Sequence, residues 1–358
     1  GEFLKPWEMN DAEIKIKQKI EENFPNRKPI IGRCAHLTEV KEIHRKQGRN
    51  MCMARTRCER GCPLGAYFSP NSSTLPWAEK TGNLTIKANQ IVSEIIFDKN
   101  SQRATGVKTV DRHSKKSQLF SAKVIFVNAA TINTNSILLN SRSETFPNGL
   151  GNSNGNLGKY MSFHNYRGSL NAKFSGNLNS YYYGRRPTSL IIPNFRNIDK
   201  NDMDFKGGYL VVFSAYREGW SRSIKNGKQF GTNYIKRASR PGPWSVSMSM
   251  QGENIPIKEN HVRLSSQRDK YGIPTPVINI DYTENDEKLL DDFFEQAILM
   301  LEKSGCREIK KSDSKQAPGL DIHEMGGARM GEDPNIAITN SYNQLHDCKN
   351  VFVTDGAC

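Results

Sequence analysis

The stretch AKVIFVNAATINTNSILLNS, Ala122–Ser141, decides the fold class. It opens with an apolar run of strand length, Val124–Val127, which is followed by short side chains at Asn128–Ala130. Apolar residues then recur at the spacing of an amphipathic helix. We expect a buried strand, a tight turn and a helix, and this order is typical of a nucleotide-binding α/β sheet.

Upstream of this stretch, the sequence predicts two helices and two strands. The first helix covers NDAEIKIKQKIEENF with Asp11 as its cap, and the second covers about Ser73–Thr81. A cysteine-containing loop lies between them and ends near Pro70. The run NLTIKANQIVSEIIFD alternates well enough for two strands that bend near Asn89.

Downstream, from about Phe163, the chain is rich in aromatic and β-branched residues, which favour a mostly antiparallel sheet. One strong helix follows in DEKLLDDFFEQAILMLEKSG, with a capping-box-like start at Thr283 and Asp286 and a stop at Gly305. Its apolar residues recur on one face and predict packing against the sheet: Leu289, Leu290, Phe293, Phe294, Ala297, Ile298 and Leu301.

The charge balance of the 358 residues is basic, with 51 Lys and Arg against 37 Asp and Glu and a formal net charge of +14. The basic residues form no continuous stripe on a predicted helix, so we expect no nucleic-acid partner and keep a polyanion-binding module only as an alternative. No apolar run is long enough for a transmembrane segment, and no secretory signal opens the chain. Cytoplasmic and periplasmic locations both stay open.

The seven cysteines do not form an evenly spaced framework. Three of them cluster in MCMARTRCERGC, as Cys52, Cys58 and Cys62, but no second Cys or His pair follows at zinc-ligand spacing. We interpret this segment as a structural loop, with or without one local disulfide, and we predict no metal site. His36, His44, His113, His261 and His346 have no partner at ligand spacing and are expected to be solvated.

The ordinary dinucleotide cradle, G-x-G-x-x-G between a strand and a helix, is absent from the sequence. The nearest run is GLGNSNGNLG, in which the third glycine comes one residue late and no strand precedes.

Several stretches in order nevertheless resemble the glucose–methanol–choline (GMC) oxidoreductases, an FAD-dependent family, and its bacterial sugar and polyol dehydrogenases in particular. These stretches are RCERGCPLGAYFSPNSSTLPWAEKTGNLTI, IVSEIIFD, RATGVKTVD, AKVIFVNAATINTNSILL, GNSNGNLGKYMSFH, GENIPIKENHVRLS, DKYGIPTP, HEMGGARMG and YNQLHDCKNVFVTDGAC. The resemblance runs from about Cys52 to Cys358 and more weakly through the first fifty residues.

The resemblance implies an incomplete Rossmann-like α/β FAD-binding domain plus an α+β substrate domain with a mostly antiparallel sheet. The FAD-binding part would span 1–162 and return at 314–358, with the substrate domain at 163–313. Family members begin with the G-x-G-x-x-G unit and continue beyond Gly356 to a second catalytic residue. We therefore expect the chain to be truncated at both ends, and a flavin-free inert fragment or scaffold is the alternative.

The implied activity is oxidation of an alcohol or sugar hydroxyl, with a hydride passing to flavin N5 and a histidine acting as the base. The motif HEMGGARMG places that base at His323, because imidazole holds a proton near neutral pH. Gly326 and Gly327 would let the backbone pass close to the flavin ring. Arg329 is a candidate for substrate binding, with a structural cation as its alternative role. His164 is taken as structural.

The remaining implied cofactor residues are Val92 at the adenine, Ala129 and Ala130 near the ADP part, and Asp355 and Gly356 at the pyrophosphate and ribityl chain. For Val92 and the two alanines, a place in a core strand is an equally good interpretation. The family usually has glycine where this chain has Thr131, which would limit how closely the cofactor approaches.

Gln251 and Glu253 match the edge of the substrate domain that approaches the flavin. Tyr181, Tyr182, Tyr183 and Trp244 would offer aromatic faces to sugar rings, or else pack within the sheet. The resemblance further implies onward electron transfer to a partner protein or a quinone. Which alcohol or sugar is oxidised cannot be read from the sequence.

Overall fold

The structure is a computed structural model that describes residues 3–55, 58–176, 188–200, 203–218, 231–239, 241–320 and 322–358. Within those ranges, no helix combines the length and the apolar character needed to cross a bilayer.

The helices in this part of the chain are α1 (Asp11–Asn23), α2 (Glu42–Lys46), α3 (Thr74–Lys80), α4 (Thr131–Asn140), α5 (Thr232–Ala238) and α6 (Glu284–Lys303). The strands are β1 (Ile30–Ile31), β2 (Gln90–Asp98), β3 (Arg103–Asp111), β4 (Ser117–Ser121), β5 (Ile125–Val127), β6 (Lys159–Ser162), β7 (His164–Asn165), β8 (Gly168–Phe174), β9 (Leu190–Ile192), β10 (Tyr209–Arg217), β11 (Trp244–Glu253), β12 (His261–Arg268), β13 (Pro274–Asn279), β14 (Arg307–Asp313), β15 (Met325–Gly327) and β16 (Val351–Val353).

The chain divides into two compact units. The first unit comprises 1–85, 165–252 and 287–315, and the second comprises 86–164, 253–286 and 316–358. These units differ from the predicted functional segments in two places: residues 1–85 belong to the unit with the large antiparallel sheet, and residues 253–286 belong to the other unit. The assignment of 1–162 and 314–358 to cofactor binding and of 163–313 to substrate binding stays a prediction.

The first unit is built on an antiparallel sheet in which β1, β9, β10, β11, β8 and β14 follow one another. Its core is apolar and aromatic, with Trp244, Tyr209, Phe213 and Phe293 among the fully buried side chains. Helix α6 packs tightly on this sheet, since a Cβ atom on Gly168 would lie 2.7 Å from Leu290 and 2.8 Å from Phe293. The antiparallel sheet and the helix on it are as the sequence predicts.

In the residues described for the second unit, the strands form three small sheets. Strands β2, β3 and β4 form an antiparallel meander, and β13, β12, β6 and β15 form a second antiparallel sheet. The third is a parallel pair, β5 with β16, in which Ile125 lies opposite Val351 and Val127 opposite Val353. Helix α4 follows β5 directly and contributes Leu138 to the same apolar core.

The local predictions are mostly confirmed, with three corrections. Helix α1 is capped by Asn10, whose side chain accepts from the Glu13 amide, and not by Asp11. Residues 83–89 form no strand, so the predicted strand pair is the single strand β2 that starts after the left-handed Asn89 (φ 63°). Strand β5 is only half-buried, because the Phe126 side chain is 62% exposed.

An ion-pair cluster around the buried Arg167 ties α6 to the sheet of the first unit. Arg167, with 6% of its side chain exposed, donates to Asp313 through Nε (3.1 Å) and Nη2 (2.8 Å) and to Glu287 through Nη1 and Nη2. The hydrogen bonds from Arg167 hold the pKa of the Asp313 carboxyl well below its usual range, and Lys315 acts in the same direction.

This depressed pKa predicts a pH dependence of stability. A carboxylate with a lowered folded-state pKa stabilises the fold at pH values above its unfolded pKa of about 3.9, and the effect is lost as the pH falls through the folded value. We expect Asp313→Asn to reduce the free energy of unfolding most at neutral pH, and the difference from wild type to shrink below about pH 4. Urea unfolding of the wild type and of Asp313→Asn, from neutral pH to below about pH 4, measures this difference in the free energy of unfolding. A difference that grows on acidification would contradict the assignment.

Candidate active site

The carboxyl ends of the parallel strands β5 and β16 lie at one edge, which is where ligands bind to parallel sheets. Asn128, Ala129 and Ala130 follow β5, and Thr354, Asp355 and Gly356 follow β16. The Thr354 hydroxyl donates to the Asn128 side chain, which joins the two turns. Four of the five predicted cofactor residues therefore share this edge of the second unit, and we call it the carboxyl edge.

Asp355 is fixed at this edge by three hydrogen bonds in series. The Ala129 amide donates to the Thr134 hydroxyl (3.0 Å), and that hydroxyl donates to Asp355 Oδ2 (2.6 Å). The Ala357 amide donates to Asp355 Oδ1 (3.0 Å). The half-buried carboxylate is thus oriented by both turns, and carboxylate oxygens are good acceptors for hydroxyl groups of a ligand.

The turn between β5 and α4 is strained at Ala130, which has φ 64° and ψ 153° and is exposed. This backbone region is unfavourable for a residue with a side chain, and such strain clusters at ligand sites. Thr131 stands where the family usually has glycine. The Thr131 hydroxyl donates to the Glu324 carbonyl. The threonine that replaces glycine therefore links this turn to the segment that follows His323.

The glycine pair of the histidine motif is required by contacts within the protein. Gly326 and Gly327 have φ values of +89° and +88°. Added Cβ atoms would lie 2.3 Å from the Tyr160 carbonyl oxygen and 2.3 Å from Asn135 Nδ2, respectively. The Gly326 amide donates to the Gly356 carbonyl (2.9 Å), which joins the histidine motif to the carboxyl edge. Contacts within the protein are therefore enough to explain why glycine is required at both positions. Close approach to the flavin ring, the reason expected from the sequence, is not needed.

His323 is exposed, adopts φ 70°, and makes an edge-to-face contact with His164, with ring centroids 5.1 Å apart and planes at 83°. In the antiparallel pair β15–β6, Met325 lies opposite Ser162. Extension of that register by two residues puts His323 opposite His164, which explains the contact. From the sequence, His164 was expected to be structural only. Its place beside the predicted base, His323, was not foreseen.

Arg329 is held by the protein on two sides. Its guanidinium carbon lies 4.2 Å above the centre of the Tyr160 ring, and its Nε donates to the Ile336 carbonyl (2.9 Å). These contacts agree with the alternative of a structural cation, and substrate binding by Arg329 stays a prediction.

Three other predicted residues lie outside the carboxyl edge. Val92 is in β2 opposite Thr109, at a break in the register, and its adenine contact stays a prediction. Gln251 is in β11 and belongs to the first unit, whereas the exposed Glu253 ends that strand and belongs to the second. A substrate role for Gln251 and Glu253 also stays a prediction.

The aromatic residues proposed for sugar stacking are not supported as a group. Trp244 is fully buried in the core of the first unit, so its ring is not available as a sugar platform. Tyr181, Tyr182 and Tyr183 lie outside the described residues.

The cysteine segment contains thiols and no disulfide. All seven cysteines are described and none of them forms a disulfide, so the structural loop has no local disulfide. Cys52, Cys58 and Cys62 line a cavity of about 360 Å³ together with His36, whose Nε2 lies 3.3 Å from Cys58 Sγ. Burial raises the pKa of the Cys62 thiol, but neighbouring backbone amides outweigh it and the net shift is downward. In the described ranges, no group of three or more His, Cys, Asp or Glu side chains is arranged to hold a metal ion.

His36 also differs from its expected solvated state. It is only 9% exposed, and burial lowers its pKa.

Comparison with known proteins identifies the family. Two family models, both described as GMC oxidoreductase, match residues 3–165 and 256–358. Together they cover most of the chain, and the chain belongs to the GMC oxidoreductase family. This is a family of flavoproteins whose cofactor is FAD, so the predicted family, fold class and cofactor are confirmed.

Curated relatives include 2-methyl-1,2-propanediol dehydrogenase of Mycolicibacterium austroafricanum, 28% identical over 87% of this chain and 56% of the relative. The fructose dehydrogenase large subunit of Gluconobacter japonicus is 25% identical over 87% of this chain and 55% of that protein. The chain thus spans about half the length of these relatives.

Among solved structures, pyridoxine 4-oxidase from Mesorbium loti matches with a TM-score of 0.56 at 18% identity, over 83% of this chain and 58% of that one. At this identity, the match supports the fold alone.

The residues at the carboxyl edge fit one part of FAD. An oriented carboxylate suits hydroxyl groups such as those of a ribityl chain, and the exposed Gly356 leaves the backbone open beside it. The imidazole of His323 directly precedes Glu324, whose carbonyl accepts from Thr131. This position suits the isoalloxazine ring, which is the reacting end of FAD. The glycine-rich pyrophosphate cradle is not among the residues of this sequence.

Proposed function

We propose that this chain carries the proton-accepting and flavin-orienting part of an enzyme that oxidises an alcohol or sugar hydroxyl with FAD. The observation that carries the proposal is the pair of hydrogen bonds, Thr131 to Glu324 and Gly326 to Gly356, that joins the histidine motif to the carboxyl edge. FAD, when bound, supplies the acceptor for the hydride that leaves the carbinol carbon. The substrate class rests on the alcohol and sugar dehydrogenases among the relatives.

His323 has the chemistry of the base. An exposed imidazole is accessible to a substrate hydroxyl, and its neutral form has a ring nitrogen that accepts the hydroxyl proton. The edge-to-face contact with His164 restricts the orientation of the ring, and the bonded segment behind it limits how far the backbone moves. Both effects hold the accepting nitrogen in one place.

Electrons are proposed to leave through a partner protein or a quinone. Two of the curated relatives, named dehydrogenases, support this direction, and one of them is named as the large subunit of its enzyme, whereas two others are named oxidases. Reduction of an artificial dye in the absence of oxygen, with a panel of sugars and alcohols, tests the activity. No dye reduction by flavin-loaded protein with any member of the panel would contradict the proposed function.

Asp355→Asn tests the orienting role of the carboxyl edge. Loss of the negative charge replaces charge-assisted hydrogen bonds to FAD hydroxyls by weaker neutral ones, so we expect FAD affinity to fall by roughly tenfold. Titration of the apoprotein with FAD, followed by flavin fluorescence, measures the dissociation constant. Glu144→Gln removes the same charge from a side chain that is 88% exposed and should bind FAD like wild type. Equal FAD affinity in all three proteins would contradict the role of Asp355.

A further inference from the structure

A second cavity, far along the chain from the histidine motif, lies in the first unit where α1 ends. Its volume is about 250 Å³, and it is lined by residues 23–27 together with Phe195 and Arg196. None of these residues takes part in the candidate active site. Since a water molecule occupies about 30 Å³ in the liquid, the cavity has room for a small ion with some water.

Arg27 is the residue that makes this cavity unusual. It is only 9% exposed, and its guanidinium carbon lies between two phenyl rings, 4.3 Å from the centre of Phe24 and 4.2 Å from that of Phe195. Its Nη2 donates to Gln296 Oε1 (2.5 Å). Its Nη1 is buried and has no hydrogen-bond partner among the residues that the structure describes. A buried guanidinium donor without an acceptor is costly, and the cost is removed when an acceptor binds.

The charges around Arg27 do not balance. Asp292 is the carboxylate that acts on it electrostatically, but both of its oxygens are engaged elsewhere. Arg196 donates to them through Nε (2.8 Å) and Nη2 (2.7 Å), and the Tyr209 hydroxyl donates to Oδ2 (2.6 Å). Two guanidinium groups therefore share one carboxylate, which leaves one positive charge in excess.

The direction of the pKa shift of Arg27 agrees with an excess of positive charge around it. Burial lowers the pKa of its guanidinium, and the positive charge of Arg196 lowers it further. The folded chain thus holds a cation that is short of negative charge.

We propose that this cavity is a binding site for a small tetrahedral oxyanion of the phosphate or sulfate class. Arg27 Nη1 is the principal donor, and Arg196, which is paired with Asp292, also lines the cavity. Phe24 and Phe195 both lie against the Arg27 guanidinium, and guanidinium edges match oxyanions in geometry. The exposed residues Pro25 and Asn26 form the part of the wall through which an ion enters.

One competing explanation needs no ligand. Helix α1 has no basic residue in its last turn, and a cation after its end would interact favourably with the helix dipole. In that case, Arg27 would stabilise the fold in the absence of any anion, and added phosphate would have no specific effect. The two explanations therefore predict different responses to phosphate.

Calorimetric titration with inorganic phosphate, sulfate and acetate at one ionic strength, set with sodium chloride, tests the proposal. Wild-type protein is expected to bind phosphate or sulfate saturably at one site, and its melting temperature should rise with their concentration. Arg27→Met keeps an apolar side chain between the two rings and removes the donors. We expect its affinity to be at least about tenfold weaker and its melting temperature to ignore phosphate.

Two further variants make the test decisive. Arg112→Met removes an exposed arginine from the second unit and should respond to phosphate like wild type. Arg27→Gln replaces Arg27→Met if the latter does not fold. A wild-type response to phosphate no larger than the response to chloride would overturn the proposal. The proposal is also overturned if the Arg27 variant binds phosphate within twofold of the wild-type affinity. It is likewise overturned if wild type binds acetate more tightly than phosphate and sulfate.

Discussion

His323→Ala is expected to lower kcat for alcohol oxidation by about 10²–10⁴-fold, the range for loss of a general base. The reason is that the substrate hydroxyl then has no positioned group to accept its proton, while the hydride acceptor is unchanged. Because His323 is exposed and its contact with His164 lies outside the apolar core, the substitution leaves the core intact. Flavin content per polypeptide and the thermal midpoint should therefore stay close to wild type.

Steady-state turnover with an artificial dye acceptor, measured on the native gene product, gives the comparison. His113→Ala is the matched control, since His113 is an exposed histidine in the β3–β4 turn of the same unit, and it should keep full turnover. If His323→Ala turns over within about threefold of wild type, a range too small for a general base, the base is another group.

Arg167→Met is expected to have the largest effect on stability, a loss of about 3–5 kcal/mol in the free energy of unfolding. The substitution leaves the Asp313 and Glu287 carboxylates without their shared cation, and Asp313 is only 16% exposed. Since these acids lie on β14 and α6, the change also removes the polar link between the helix and the sheet edge. Guanidinium unfolding, followed by circular dichroism, measures the loss.

Arg307→Met provides the control for this comparison. Arg307 is an exposed arginine at the start of the same strand, β14, and a surface substitution of this kind changes stability by about 0.5 kcal/mol or less. An Arg167→Met protein as stable as the Arg307→Met protein would show that the ion-pair cluster contributes little.

Local structure was predictable wherever one pattern dominated. Helix α6 follows from the recurrence of Leu289, Phe293 and Ala297 on one face, and it packs with that face on the sheet. The strand, turn and helix from Ile125 to Asn140 follow from an apolar run, short side chains and a helical period. Residues 83–89 carried an alternating pattern but no partner strand, and alternation alone does not form a sheet.

Burial of single residues was less predictable, because it depends on what covers both faces of a strand. Trp244 shares one face of β11 with Val246 and Met248, and that face is fully buried. His36 was expected to be solvated, but a nonlocal contact with Cys58 and the surrounding loop covers it.

The grouping of the site depended on the family resemblance and on contacts between distant segments. Asp355 and Ala129 lie 226 positions apart in the sequence, and only the parallel pairing of β5 with β16 brings their turns together. His164 was missed because its neighbour is fixed by the register of β15 on β6, which no local pattern encodes. Knowledge of the β15–β6 register would have identified His164 as the neighbour of His323.

Rapid anaerobic mixing of the flavin-loaded native gene product with an alcohol or sugar that it turns over measures the reductive half-reaction by itself. The role proposed for His323 is to accept the hydroxyl proton beside a flavin oriented at the carboxyl edge. It predicts that the visible absorbance of oxidised flavin is lost rapidly in wild type, and about 10²–10⁴-fold more slowly in His323→Ala at the same flavin content. Equal rates of flavin bleaching in the two proteins would contradict it.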